Sequence, residues 1–337
     1  MILPVKTGQS TYDIVIEPGC LKRAGELLNL KRKILIVTDD GVPASYAKTL
    51  ASFCDMPFIK CVRQGEGSKS FKVFEELETL LMENNFSRTD CVVAVGGGVV
   101  GDLSGFTAAC YMRGIDFYNI PTTVLSQVDS SIGGKTAINL GNIKNIVGAF
   151  YPPKKVLIDV ELLKTLPPRQ ISNGLSEAVK MSLTSDASLF EIFENEDIEA
   201  SLQTIIEKSL RIKKYVVEED EKEMGLRKIL NFGHTIGHGI ESFENLSELY
   251  HGECVALGML PMCSDEVRER LIPVLKKLNL PTQCSLDMQK VYEAMTHDKK
   301  TSGESITITT VEKVGEFNLK KVPISSLSEK LEMFNVK

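Results

Sequence analysis

Val92-Val93-Ala94-Val95-Gly96-Gly97-Gly98-Val99-Val100-Gly101-Asp102 decides how the first half of this chain folds. A short β-branched run with no polar alternation is a strand covered on both faces, as in a parallel sheet. The glycines after it let the backbone turn tightly and approach a ligand. The helix that must follow offers free N–H groups and the positive end of its dipole, so a pyrophosphate fits there. Gly96, Gly98 and Gly101 satisfy Gly-x-Gly-x-x-Gly, and Gly97, Val99, Val100 and Asp102 complete the turn. Alone, the motif also describes an ordinary strand-to-helix turn.

Working outward, Lys33 to Thr38 and Met56 to Val62 read as further strands, and Gly41 to Phe53 and Phe71 to Asn84 as helices. This alternation predicts an α/β fold with a parallel sheet. Asp116 follows the glycines at about the spacing of a ribose-binding carboxylate. It opens the run Ile115 to Ile120, however, whereas such a group belongs at a strand's C-terminal end. The adenine end of a nucleotide is therefore expected at Thr38-Asp39-Asp40 or at Gly65-Glu66-Gly67-Ser68-Lys69. From about Gln170 to Asn279 strand patterns disappear, and Ser188 to Val217 and Cys254 to Leu278 carry helical period. Pro167-Pro168 marks the change, which predicts an NAD-binding α/β domain over 1–166 and a helical metal- and substrate-binding domain over 167–337. Ser305 to Thr310 alternates Ile and Thr, as one leg of a small hairpin would.

The chain has 337 residues, 43% apolar and 25% charged, with a net charge of −6. It is long enough to bury its own core. Its charge gives no footing for nucleic acid or an anionic membrane, so an anionic substrate needs local Lys and Arg. The N-terminus lacks a secretory pattern, and no apolar run is long enough to span a bilayer. Eight scattered cysteines without a Cys-x-x-Cys pair read as reduced thiols, which predicts a cytoplasmic protein.

Three of the four histidines, His234, His238 and His251, fall within 18 residues. His234 and His238 are i, i+4 on one helical face and could share one metal ion. Thr235 replaces the Glu of His-Glu-x-x-His, which excludes the metalloprotease pattern. A catalytic metal site uses about three protein ligands and an open position. Glu177 is the best carboxylate candidate, since its apolar neighbours bury it and Lys180 lies at i+3. Between the glycine turn and the histidines, Thr122-Thr123, Asp129 to Thr136, Asn139 and Lys144-Asn145 form a polar run expected to be a loop folded around an anion. Arg113 and Arg227 could converge on the same anion.

Together these segments resemble the 3-dehydroquinate synthase family. The resemblance rests on Gly-Gly-Gly-Val-Val-Gly-Asp (96–102), Tyr-Met-Arg-Gly (111–114), the Pro-Thr-Thr to Gly-Gly-Lys-Thr run (121–136) and Leu-x-Glu-x-x-Lys (175–180). Asn-Phe-Gly-His-Thr-x-Gly-His (231–238), His-Gly-Glu (251–253) and Asp-Lys-Lys (298–300) complete it, in the family's order. It implies a nucleotide-binding α/β domain before an all-helical one, with the active site in the cleft between them. It also implies a catalytic NAD, a divalent zinc or cobalt ion, a homodimer, and a small anionic sugar-acid phosphate as substrate. By position, Glu177, His234 and His251 would hold the metal, which turns His238 toward the substrate. Arg113, Lys135, Lys144, Asn145, Lys180, Arg227, Asn231 and Lys299 or Lys300 would line the substrate, and Asp129 would orient a donor. Gly97 to Asp102, Thr122, Thr123, Asp39, Glu66, Lys69, Lys135 and Lys144 would hold the NAD, supported by Leu162, Leu163, Lys164 and Thr165. The implied reaction converts 3-deoxy-D-arabino-heptulosonate 7-phosphate to 3-dehydroquinate and phosphate by oxidation, β-elimination, reduction, ring opening and an aldol closure. A related sugar-phosphate cyclase, a glycerol-type dehydrogenase and a non-catalytic binding protein are the competing readings. Only the dehydrogenase would accumulate NADH.

Overall fold

The computed structural model describes residues 1–8, 10–141, 143–243, 249–284, 286–297 and 305–335. Lys299 and Lys300 lie outside the described residues. The chain divides into two compact units, Met1–Pro167 and Pro168–Lys337.

The first unit contains a seven-stranded sheet. Its strands are β1 (Ile2–Thr7), β2 (Ser10–Ile16), β3 (Lys33–Asp39), β4 (Met56–Val62), β5 (Cys91–Gly96), β6 (Asp116–Pro121) and β9 (Lys155–Ile158), in the order β1-β2-β9-β6-β5-β3-β4. Only the β1–β2 pair is antiparallel; the other neighbours run parallel. Helices α1 (Ala24–Leu27), α2 (Ala44–Ala51), α3 (Phe71–Glu83) and α4 (Gly98–Cys110) cover the sheet. Successive residues of one strand serve opposite faces. Ile34, Ile36, Val93 and Val95 pack with Ala47 and Leu50 of α2, whereas Leu35, Val37, Val92 and Ala94 pack with Leu77 of α3 and Leu103 of α4. Both faces being covered explains why these strands are unbroken apolar runs rather than alternating ones. Because α2 leaves β3 over one face and α4 leaves β5 over the other, the chain reverses direction between these adjacent strands. The crevice beyond their C-terminal ends is the topological switch point at which ligands bind in open α/β sheets.

The polar run beyond β6 is not a loop throughout. Lys135–Leu140 (β7) and Ile143–Phe150 (β8) pair as an antiparallel hairpin. Its sequence hides this because β8 is exposed along most of its length and lacks a buried alternating face.

Among its described residues the second unit is helical apart from one hairpin, β10 (Ser305–Lys313) with β11 (Glu316–Pro323). Its helices are α5 (Pro168–Ser185), α6 (Ala187–Asn195), α7 (Ile198–Glu219), α8 (His234–Phe243), α9 (His251–Met259), α10 (Asp265–Lys277), α11 (Met288–His297) and α12 (Leu327–Leu331). The helical stretch expected over Ser188 to Val217 is interrupted: α6 ends at Asn195, and Asp197 caps α7 by accepting the Ala200 N–H at 2.8 Å. Helix α5 is buried from Ser172 to Thr184. Two glycines bring its neighbours unusually close. A Cβ on Gly252 would sit 2.0 Å from the Asn173 carbonyl oxygen, and one on Gly258 would sit 2.0 Å from the Gly233 carbonyl oxygen. No side chain fits there, so α5, α8 and α9 meet almost backbone to backbone.

Candidate nucleotide crevice and metal centre

In the first unit, β5 delivers Gly96 and Gly97 to the start of α4. A Cβ on Gly96 would fall 2.6 Å from the Val100 side chain, and one on Gly98 would fall 3.0 Å from Ser130 Oγ. The turn is thus stripped of side chains where the first N–H groups of α4 emerge, which suits the pyrophosphate of a dinucleotide. Thr122 and Thr123 follow β6 beside it: the Thr122 N–H donates to the Gly96 carbonyl at 2.9 Å, and Thr123 Oγ1 accepts the Ser126 N–H at 3.2 Å. At the end of β3, Thr38, Asp39, Gly41, Pro43, Ala47 and Cys61 line a pocket of about 470 Å³. Burial and the adjacent Asp40 raise the Asp39 carboxyl above its ordinary range. Asp116 instead starts β6 and pairs with Arg32 at 2.6 Å, away from the strand's C-terminal end.

Lys69, only 3% exposed, donates to Asp102 Oδ2 at 2.6 Å and to Asn145 Oδ1, with Glu66 Oε1 at 3.8 Å. Asn139, absent from the expected ligand set, joins these groups: its Nδ2 donates to Glu66 at 2.9 Å and its Oδ1 accepts the Asn145 N–H at 2.8 Å. Lys135 and Lys144 are exposed on the hairpin, and Arg113 is exposed after α4. Arg113 and Asn145 hold positive φ (66° and 57°), a conformation that side-chain-bearing residues adopt at some cost, often at functional sites. Asp129 lies in a π-helical turn, Ser126–Ser130. Leu162 and Leu163 are buried, so their side chains belong to the core; Tyr46 Oη meets the Leu162 carbonyl at 3.3 Å and Thr165 Oγ1 at 3.0 Å. Lys164 pairs with Glu161 at 2.6 Å at the surface.

In the second unit, α5 supplies Glu177 and Lys180, α8 supplies His234 and His238, and α9 begins with His251. Donor atoms of Glu177, His234 and His251 all lie within 4.8 Å of one another. Both imidazole Nε2 atoms stand 3.5 Å from Glu177 Oε1. Glu177 is 1% exposed, and neither carboxylate oxygen has a hydrogen-bond partner of acceptable geometry among the described residues, although Oε2 is in direct charge contact with Lys180 Nζ. Burial alone would push the Glu177 carboxyl up; Lys180 and the two histidines more than reverse this and hold it well below the usual range. Burial and Lys180 push His234 down to about 3, so its imidazole is neutral and free to ligate. Burial also acts against a charged His251, but Glu177 and Glu241 outweigh it and raise that imidazole to about 9. An ionised buried carboxylate with Lys180 on one oxygen and two imidazoles facing the other is a donor set that a divalent cation completes.

The surrounding residues explain the local sequence. The turn Phe232-Gly233 puts a positive φ of 78° at Gly233, and His234 Nδ1 meets the Phe232 carbonyl at 3.1 Å. The Gly252 N–H donates to Asn173 Oδ1 at 2.6 Å. Glu253 accepts the Tyr250 N–H at 2.8 Å and the Arg169 guanidinium at 2.7 and 2.8 Å, which fixes the start of α9 and hence His251. His238 is exposed, with ring centroids 5.1 Å from His234 and 5.9 Å from His251. It is not in the Glu177 group but falls in a second one with Glu241 and His251. Arg227 is buried and donates to the Glu221 carbonyl at 2.5 Å, while Asn231 donates to Glu223 at 2.7 Å. Asn173, Glu223, Glu241, Glu253 and the buried Lys213 were not singled out from the sequence. Only Glu253 had a signal there, its place in His-Gly-Glu.

Models of the 3-dehydroquinate synthase N-terminal and C-terminal regions match residues 59–173 and 174–301. A 3-dehydroquinate synthase of Streptococcus thermophilus (strain CNRZ 1066) is 39% identical, over 98% of this chain and 100% of its own length. This chain belongs to the 3-dehydroquinate synthase family. Among solved structures, a 2-deoxy-scyllo-inosose synthase complexed with carbaglucose-6-phosphate, NAD+ and Co2+ superposes with a TM-score of 0.87 at 25% identity, covering 99% of this chain and 100% of that one. A 2-epi-5-epi-valiolone synthase from Streptomyces hygroscopicus subsp. jinggangensis 5008, with NAD+ and Zn2+ bound, gives 0.87 at 25% identity over 98% of each chain. The family's fold agrees with the α/β sheet unit and the helical unit described above. No described helix is long and apolar enough to cross a membrane.

Proposed function

We propose that the chain is a 3-dehydroquinate synthase, a phosphorus–oxygen lyase that converts 3-deoxy-D-arabino-heptulosonate 7-phosphate to 3-dehydroquinate and inorganic phosphate, using NAD and a divalent zinc or cobalt ion. The observation that carries this reading is the meeting of His234 and His251 on the unsatisfied, buried carboxylate of Glu177. Those three residues hold the metal, and the glycine turn at Gly97 to Asp102 with Thr122 and Thr123 holds the NAD pyrophosphate and nicotinamide. Asp39 and the pocket behind it take the adenosine.

When bound, the ion polarises neighbouring substrate oxygens, and the nicotinamide takes up and returns one hydride, so that no net oxidation results. The chain supplies the rest. Taken unit by unit, the groups suited to the phosphate, carboxylate and hydroxyls of the substrate are Arg113, Lys135, Lys144 and Asn145 in the first, and Lys180, Arg227 and Asn231 in the second. Charge-assisted bonds of this kind are worth about 1.5–3 kcal/mol each. The His238 imidazole moves the proton of the hydroxyl that is oxidised, and Asp129 orients a neighbouring donor. The scattered, reduced cysteines support a cytoplasmic enzyme, and the family resemblance supports a homodimer, for which light scattering is the test.

The test is phosphate release from the heptulosonate phosphate with NAD and zinc or cobalt, with and without chelator. The expected result is chelator-sensitive release with constant NADH absorbance. Release only from a sugar phosphate that lacks a carboxylate would mark another cyclase, and rising NADH absorbance would mark a dehydrogenase.

A further inference from the structure

His234, His238 and Glu241 stand at i, i+4 and i+7 on α8 and so share one stripe. That stripe faces the first residue of α9, His251, whose ring is held between two carboxylates. Its Nε2 is 3.5 Å from Glu177 Oε1 and its Nδ1 is 3.0 Å from Glu241 Oε2. The second distance is that of a hydrogen bond, and the first is not. A carboxylate accepts and does not donate, so the proton between His251 and Glu241 belongs to Nδ1. In the neutral ring, the form that ligates a metal, Nε2 is then the nitrogen with the lone pair, and it faces Glu177. His234 repeats the pattern: its Nδ1 meets the Phe232 carbonyl at 3.1 Å while its Nε2 lies 3.5 Å from the same Glu177 oxygen. Each imidazole therefore has an acceptor behind it and the proposed ion's place in front.

We infer that Glu241 is a positioning residue of the metal centre, holding His251 in the tautomer and ring orientation that ligate through Nε2. The inference rests on the reading of Glu177, His234 and His251 as the metal ligands. The two acceptors differ in kind. Phe232 offers a neutral carbonyl fixed by the Gly233 turn, whereas Glu241 offers an ionised side chain that also makes His251 the more basic ligand. Side chains of this type behind a metal-binding histidine typically change metal affinity about 10- to 100-fold when removed. A rival role exists, since an acidic group near the start of α9 is also favoured by the helix dipole. Glu253 already caps that helix through the Tyr250 N–H, and the two roles predict different measurements.

The experiment uses the full-length chain stripped of metal, titrated with zinc or cobalt alone against a competing chelator, for wild type, Glu241→Ala, Glu241→Gln and His234→Ala. Thermal unfolding of the metal-free proteins is recorded alongside. The expected result is one ion per chain in the wild type and none retained by His234→Ala. Affinity should be weaker by about 10- to 100-fold in Glu241→Ala and fall between the two in Glu241→Gln, whose amide oxygen still accepts from Nδ1 without the charge. If Glu241→Ala and Glu241→Gln unfold earlier but bind the ion as tightly as the wild type, Glu241 only caps α9 and the inference fails. Two ions in the wild type with one lost in Glu241→Ala also overturns it, because Glu241 would then be a ligand. If His234→Ala binds as the wild type does, the metal-centre reading itself fails, a result distinct from the other two.

Discussion

In each unit a buried lysine meets a carboxylate, Lys69 with Asp102 and Lys180 with Glu177, and the two pairs are finished differently. In the first unit the network around Lys69 is closed. Its ammonium is shared by Asp102 and Asn145, Glu66 accepts from Asn139, and Asn139 accepts the Asn145 N–H. It ties the turn after β4 and the start of α4 to the β7–β8 hairpin. In the second unit the cluster around Glu177 is open. Lys180 sits on one carboxylate oxygen, yet the other, Oε1, has no close donor and the nearest imidazole nitrogens stop at 3.5 Å. Buried polar groups are almost always satisfied, so an exception marks a place that something else completes. The closed network is architecture that also borders the nucleotide crevice, and the open cluster is where chemistry is expected.

The difference is broken most severely at the open end. His234→Ala should lose the metal and lower kcat/KM by about 10³-fold or more, the loss of several kcal/mol of Lewis-acid stabilisation. Because the His234 imidazole is neutral, no buried charge is stranded, and metal-free stability should change little. His238→Ala should retain the metal and lose rate. Metal content by elemental analysis together with phosphate release decides between them, and the opposite assignment of the two histidines stands if the results are exchanged. At the closed end, Lys69→Met strands the Asp102 carboxylate and should destabilise by about 3 kcal/mol in urea unfolding, as breaking a buried pair does. Replacing Asp102 as well should recover part of that loss. Simple additivity in the double mutant would mean that the two side chains do not act as one network.

How much of this could be read from the chain follows the physics of each signal. The middle of the sheet was legible because strands covered on both faces carry unbroken apolar runs, as β3 and β5 do, whereas β1, β2 and β9 were not read. The cluster of Glu177, His234 and His251 was legible as residue types, but His234 and His238 share a helical face, and periodicity could not say which of them meets Glu177. Glu241 was invisible for the same reason: a carboxylate on a helix reads as solvated until α9 is seen to cross its stripe. The β7–β8 hairpin was misread because Leu140, Ile143, Ile146 and Phe150 are exposed and its register is set by long-range pairing. The break before Asp197 lay in an acidic run that resembles a solvated helix surface. Positive φ at Arg113 and Glu223 has no sequence signature, and at Asn145 only the weak one of asparagine.

A smaller effect sharpens the comparison at the nucleotide crevice. Gly98→Ala places a methyl 3.0 Å from Ser130 Oγ, in the space where the helix start is bare. NAD binding, measured by isothermal titration calorimetry, should weaken by about tenfold, or 1.4 kcal/mol. Global stability should shift by less than that, because alanine is the better helix former. Unchanged NAD affinity would remove the turn from the cofactor site.

Glu78 on α3 is a third kind of carboxylate, half-buried and opposed by no cation among the causes of its shift. Its Oε1 has no hydrogen-bond partner, and burial raises its carboxyl to about 7. Below the unfolded value of 4.5 both folded and unfolded chains carry the proton, and Glu78 costs nothing. Between that value and about 7 the unfolded chain releases the proton while the folded chain keeps it, so stability falls as pH rises through this window and stays lower above it. The full shift corresponds to about 3 kcal/mol, and solvent screening of a half-buried side chain reduces the expectation to about 1 kcal/mol. Glu78→Gln should therefore be the more stable protein at pH 8 and nearly indistinguishable at pH 4, as read by urea midpoints. Lys69 and Lys180 are what Glu78 lacks. An equal effect of the substitution at both pH values would mean that its carboxyl is solvated, and that the contrast among buried carboxylates stops at the two lysine pairs.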